Sequence, residues 1–184
     1  AKEAERRGLP NVKTTPLAFD ALTTDKAKHL FESNNIYNHI ELEARHEIEL
    51  ENYLKKVQIE GRIIGDLALN HIIPAAIKYQ NDLLKNVNGL KEAGLPEAAY
   101  ASQLSLLKQV SEHIQVVHEN VLAMVEARKV ANNISNTREK AIAYESKVKA
   151  AYFDLIRYHV DKLEALVDDE IWTLPKYREM LLLR

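Results

Sequence analysis

The amino-acid sequence predicts an all-α fold, an antiparallel helical bundle of three long helices with short helices at its ends. Three observations lead there. Only 5 of the 184 residues are Gly and 5 are Pro, too few for the repeated tight turns of an all-β fold, while good helix formers such as Ala, Leu, Glu and Lys abound. Apolar residues recur at spacings of three and four along three extended stretches. Those stretches are bounded by residues that cap and stop helices.

Along the chain, residues 1–22 carry Gly8, Pro10 and Pro16 among mixed side chains and read as an extended lead-in that leans on a neighbouring surface through Leu17, Phe19 and Leu22. Residues 23–184 read as the bundle. Thr24 caps a short helix from Asp25 to about Ser33, which Asn34 and Asn35 can end because asparagine tolerates the left-handed conformation. Asn38 and Glu41 then form a capping-box pattern, each side chain able to satisfy an amide that the first turn leaves free. From there a stripe of Ile48, Tyr53, Val57, Ile64, Leu67, His71, Ala75, Tyr79 and Leu83 runs to about Ala93. Pro74 lacks an amide hydrogen and crowds the preceding turn, so this first long helix is expected to kink near Ile73.

Gly94-Leu95-Pro96 ends that helix and starts the next, marking a tight helical hairpin. The second long helix is expected over about Glu97 to Ala131, with a seam of Tyr100, Leu104, Leu107, Ile114, Val121 and Val125. Asn136 and Glu139 repeat the capping-box pattern and open a third helix to about Asp168, with Ala141, Tyr144, Val148, Tyr152, Leu155, His159 and Leu166 on its stripe. Trp172, Leu174, Met180, Leu181, Leu182 and Leu183 make an apolar C-terminal element. It is expected to dock on its own chain near Leu17, Phe19 and Leu22, because exposing it to water costs more than ordering a short tail.

Lys plus Arg (25) and Asp plus Glu (27) nearly cancel, so no global field draws the chain to nucleic acid or to an anionic membrane, and neither is expected as a partner. With 0 Cys there is no disulfide, thiolate metal site or cysteine nucleophile, which suits a reducing, cytoplasmic setting. No apolar run approaches the length of about 20 residues needed to span a bilayer. The opening Ala1-Lys2-Glu3 is read as the edge of a piece cut from a longer protein.

Candidate chemistry is sparse. Glu43 and His46 have the Glu-x-x-His spacing of di-metal bundles, but such a site needs a second pair and two further inward glutamates, so no metal ligand is assigned. A ferritin-like metal-binding bundle is the least favoured alternative. His71, His118 and His159 lie on or near apolar stripes and read as packed residues without a serine, carboxylate or second histidine at catalytic spacing. Tyr144, Tyr152 and Tyr158 read as core rather than as a base-stacking platform. Gly61-x-x-x-Gly65 lacks the lysine and preceding strand of a phosphate loop. Glu60 and Arg62 lie on different helical faces. No catalytic, cofactor-binding or metal residue is assigned.

Two stretches carry a resemblance. They are Leu9-Pro-Asn-Val-Lys-Thr-Thr-Pro-Leu-Ala-Phe-Asp-Ala-Leu22, and Glu41-Leu-Glu-Ala-Arg-His-Glu-Ile-Glu-Leu-Glu-Asn-Tyr53 continuing through Ile59-Glu60-Gly61-Arg62 to Ile73-Pro74-Ala75-Ala76. Both resemble the C-terminal region of type III glutamine synthetase, over about residues 8–80. The chain has His46 where that family usually shows a tyrosine, and Gly61 where it often shows alanine. The resemblance implies a non-catalytic helical domain of a glutamate-ammonia ligase of nitrogen assimilation, for subunit assembly or regulation. In that reading residues 1–22 lead in from an upstream catalytic domain, ATP with Mg or Mn serves the parent enzyme, and the partners are that domain and neighbouring subunits of a ring-shaped homo-oligomer. The alternative is a free-standing helical protein-interaction module.

Because no phosphate loop or metal-ligand set is recognisable, the isolated chain should make no glutamine from glutamate, ammonia and ATP. Magnesium ATP should leave its melting temperature unchanged, whereas a ligand present at 100 times its dissociation constant adds about 2.7 kcal/mol. Product above a blank, or a reproducible upward shift of several degrees, contradicts this.

Overall fold

The computed structural model describes residues 2–182. Among them every regular element is helical: α1 (Lys2–Arg6), α2 (Thr15–Phe19), a 3₁₀ turn (Asp20–Thr23), α3 (Asp25–Ser33), α4 (His39–Leu67), a π-helical segment (Ala68–Ile72), α5 (Ile73–Glu92), a 3₁₀ turn (Glu97–Ala99), α6 (Ala101–Asn132), α7 (Thr137–Ala143), a second π-helical segment (Tyr144–Phe153), α8 (Asp154–Leu166) and α9 (Tyr177–Met180). The three long helical stretches of the sequence reading are thus present. They are grouped into two compact units, Ala1–Glu60 with Ala127–Ala150, and Gly61–Glu126 with Ala151–Arg184. Residues 22 and 23 therefore fall within one unit.

In the first unit the caps act as the sequence implies. The Thr24 hydroxyl accepts from the Ala27 amide at 3.3 Å, and Asn35 takes the left-handed conformation (φ 55) after α3. Asn38 accepts from the Glu41 amide at 3.0 Å while Glu41 accepts from the Asn38 amide at 2.8 Å, closing the capping box. Asn136 likewise accepts from the Glu139 amide at 2.9 Å. The core is Leu42, Leu50, Leu54 and Val57 of α4 with Ala131, Ala141, Tyr144 and Val148. The Tyr144 hydroxyl donates to Asn132 Oδ1 at 2.7 Å, so its burial leaves no polar atom stranded.

The lead-in departs from expectation. It was expected to be extended, but it holds α1, α2 and a 3₁₀ turn. Pro16 sits in the first turn of α2, where its fixed φ suits a helix and its missing amide is not needed, and it is buried. Gly8 ends α1 at φ 70, the conformation in which a side chain is strained. The same two residues had suggested extended chain.

In the second unit, Gly94 (φ 77) closes α5 and Pro96 precedes the turn into α6. The hairpin that follows is antiparallel: Gly65 faces Val121 and Met124, whereas Gln80 donates to the Ser111 hydroxyl. Ile73 donates to Ala68 O five residues back instead of four, so the helix changes its hydrogen-bond pattern immediately before Pro74. That removes the clash and the missing bond that a proline imposes on a regular α-helix. Ile72, Ala76, Val87, Val110, Val117, Val121, Met124, Ile156 and Leu163 form the core.

The seams are phased differently from the sequence reading. Val57 and Ala75 are buried as expected, but Ile48 is 55% exposed and Leu50 and Leu54 take the buried line instead. Tyr100 and, on α6, Val121 are buried as expected, but the centre of α6 also takes in Val110, Val117 and Met124, with Leu104, Leu107, Ile114 and Val125 half-buried beside it. In the third stretch Ala141, Tyr144 and Val148 are buried as expected, but the line then passes through Phe153, Ile156 and Leu163, leaving Leu155 exposed. The π-helical segment is the cause, since each extra residue in a turn rotates those after it by about 100°.

A Cβ added at Gly65 would lie 3.6 Å from Val121 Cγ1 and 3.7 Å from Met124 Cε, ordinary contact distances. Gly65→Ala should therefore stabilise the chain by about 0.5–1 kcal/mol, through lost backbone freedom of the unfolded state and better helix propensity. A lower urea midpoint for this variant contradicts the packing described.

Candidate functional site

In the first unit, the lead-in meets α4 and α7 at one carboxylate. Asp20, at the start of the 3₁₀ turn, accepts from Arg138 Nε at 2.8 Å on Oδ1 and from the second guanidinium nitrogen at 2.6 Å on Oδ2. His46 Nε2 lies 3.2 Å from the same Oδ1. The two-pronged guanidinium fixes both position and plane of the carboxylate, as a point charge could not. Arg138 beside it holds the Asp20 carboxyl below the usual carboxylate range, against a smaller opposing effect of burial. α2 packs on α7 next to this clamp, and Pro16 is buried.

The Glu-x-x-His pair does not converge on a common centre. Glu43 pairs with Lys28 Nζ at 2.9 Å, on α3, while His46 turns to Asp20. Among the described residues no group of three or more His, Cys, Asp or Glu is placed to hold a metal ion. Arg45 stacks over the Tyr37 ring at 4.2 Å, and Tyr37 meets Phe31 at 5.7 Å, so the link between α3 and α4 is ordered by an aromatic pair under a cation. Also in this unit, Tyr53 donates to Glu145; burial and that carboxylate push the phenol well above its usual range. Lys149 balances Glu145 at 3.3 Å.

The segment around the clamp exposes apolar side chains. Leu9, Val12, Leu17, Leu30, Ile36 and Ile40 are all exposed, and all fall in the first 40 residues of this unit. Scattered aliphatic side chains are normal on a protein surface, and Ile48, Ile59 and Val130 are exposed later in the chain; those of the first 40 residues stand out because they accompany the clamp and lie on the segment carrying the resemblance.

In the second unit, His71 and His118 are exposed, Glu60 and Arg62 of the first and second units are exposed too, and Tyr158 is 56% exposed rather than core. His159, read as lacking a second histidine nearby, instead meets His113 of α6. The C-terminal segment docks on its own unit. Trp172 is buried, and Leu174 and Met180 line an apolar groove of about 320 Å³ with Ile64, Phe153 and Ile156. It was expected against Leu17, Phe19 and Leu22, which belong to the other unit. Lys176 is the anchor: its buried Nζ donates to Val167 O at 2.8 Å beyond α8 and pairs with Asp169 at 2.6 Å. Leu181 and Leu182 remain 85% and 80% exposed, and Leu183 lies outside the described residues. Asp20, Arg138 and His113 were missed by the sequence reading; 118 residues separate the first pair, and no local spacing signals it.

The clamp gives a sign for acid sensitivity. Because the folded state lowers the Asp20 value, its contribution is fully present above the unfolded value near 4 and lost as pH falls through the folded one. Asp20→Asn should cost about 0.5–1 kcal/mol at pH 7, given partial exposure, and the difference from the parent chain should shrink as pH falls below about 4. Equal stability of both chains at pH 7, by urea unfolding, contradicts the clamp.

Residues 1–91 match the family model described as the glutamine synthetase C-terminal domain. The chain is 46% identical over 184 residues to a glutamine synthetase of Bacteroides fragilis, covering 98% of this chain and 25% of that protein. It is 30% identical over 188 residues to a type-3 glutamine synthetase of Dictyostelium discoideum and 31% identical over 180 residues to a glutamine synthetase of Butyrivibrio fibrisolvens, with the same shares covered. The chain thus spans about a quarter of the length of these relatives. With the family pattern on its first half and relatives aligned along nearly all of it, the chain belongs to the glutamine synthetase C-terminal domain family.

Proposed function

We propose that this chain is the helical C-terminal part of a type III glutamine synthetase and serves the assembly of that enzyme, not its chemistry. The single observation that carries the reading is the run of exposed aliphatic side chains, Leu9 to Ile40, on the segment where the family match begins. Exposed aliphatic side chains on a segment whose 3₁₀ turn is held by a charged clamp suit a permanent contact with the enzyme's own catalytic region. In this reading that region precedes residue 1, joins glutamate and ammonia at the expense of ATP with Mg or Mn, and assembles with its neighbours into a cytoplasmic ring-shaped homo-oligomer. Residues 1–22 form the passage between the two regions. No helix among the described residues is long and apolar enough to cross a membrane.

The test replaces Leu17, Ile36 and Ile40 by serine together in the full-length parent enzyme. Light scattering should report smaller particles and activity should fall several-fold, because three large aliphatic anchors each contribute about 1.5–3 kcal/mol when fully buried. The same substitutions in the isolated chain should change its stability by no more than about 0.5 kcal/mol per site, as expected for exposed positions. A full-size, fully active triple variant overturns the proposal.

A further inference from the structure

The second unit contains an arrangement that assembly alone does not require. His113 of α6 and His159 of α8 bring their Nδ1 atoms to 2.9 Å, with ring centroids 5.1 Å apart and the planes tilted by 59°. Tyr158 packs edge-on against His159 at 5.2 Å. The two histidines are 46 residues apart, so their meeting is a product of the fold. At this separation one nitrogen must donate and the other accept. The acceptor ring then carries its proton on Nε2, and the donor ring carries one on Nδ1.

Proton counting gives the consequence. The pair keeps its hydrogen bond when neutral, and keeps it with one extra proton, because the donor ring can also be protonated on Nε2. A second extra proton would place two N–H groups and two positive charges face to face. We infer that the His113–His159 pair is a proton-sensitive fastening between α6 and α8, closed with zero or one extra proton and opened by the second. The charged groups acting on His113 are Glu112 on α6, which favours its protonation, and Lys162 on α8 with His159 itself, which oppose it. Burial is the largest influence, and the His113 value lies below the ordinary histidine range. The sign follows: a base whose folded value is depressed contributes stability above the unfolded value near 6.5 and loses it as pH falls. Asp20 of the first unit responds only at much lower pH, so the two effects occupy separate windows.

The experiment is a titration of the full chain from pH 8 to 4.5, following the imidazole ring protons by NMR, with resonances assigned from single His→Gln variants. The expected result is that the pair takes up its two extra protons in steps more than one pH unit apart, and that His159→Gln converts His113 to a single ordinary step. In urea unfolding, the parent chain should lose about a tenfold factor in its folding constant per pH unit below pH 6 relative to the His159→Gln variant, the slope of one proton fewer bound in the folded state. Independent single-step titration of both histidines in the parent chain overturns the inference, and this outcome can be read whether or not the variants fold.

Discussion

The lead-in of this chain depends on one carboxylate. Residues 2–23 contain two helices of five residues each and a 3₁₀ turn, too short to hold their shape in water alone. Asp20 ties down the 3₁₀ turn that follows α2, receiving two bonds from the Arg138 guanidinium and a third from His46, so an element late in the chain and one early in it grip the same turn. Pro16 is buried, while Leu9, Val12 and Leu17 face outward. A surface for docking has to be ordered before it is met, or the contact must also bear the cost of ordering it. The clamp supplies that order.

The second unit uses a different constraint. There the helices pack through small and branched residues, Ala75, Ala76, Val117 and Val121, and Gly65 of α4 faces Val121 and Met124 of α6 with room for a methyl group. Pro74 would break such a helix if it stayed regular. The π-helical segment before it accommodates the proline and keeps the stretch continuous from α4 into α5. Lys176 performs a related task at the other end, giving the carbonyl after α8 a partner while Asp169 balances its charge. The histidine pair between α6 and α8 is where this unit is proposed to respond to protons.

How much of this was legible in the sequence follows from the range of each interaction. Thr24, Asn38, Glu41 and Asn136 act on amides three residues away, and the sequence alone located all of them. Gly94 and Pro96 were equally local. Gly8 and Pro16 misled because both residues suit a helix terminus as well as extended chain, and burial of Pro16 decided the matter. The stripe beyond Val148 went wrong by one residue because a π turn is set by packing and has no reliable composition of its own. Contacts across 46 and 118 residues, His113 with His159 and Asp20 with Arg138, had no local trace. The family resemblance, by contrast, was carried by linear stretches, and it needed no fold to be seen.

The central claim is that Asp20 orders the docking surface. Native-state hydrogen exchange on the parent chain and on Asp20→Ala tests it most directly, read at the amides of residues 18–23 and, as an internal reference, at those of Leu50 and Leu54. The account predicts that the substitution raises exchange in residues 18–23 by about fivefold, the loss of roughly 1 kcal/mol of protection, and raises it at Leu50 and Leu54 by no more than that. Unaltered exchange in residues 18–23, with the helices of the first unit intact, would show that the lead-in is ordered by something other than this carboxylate.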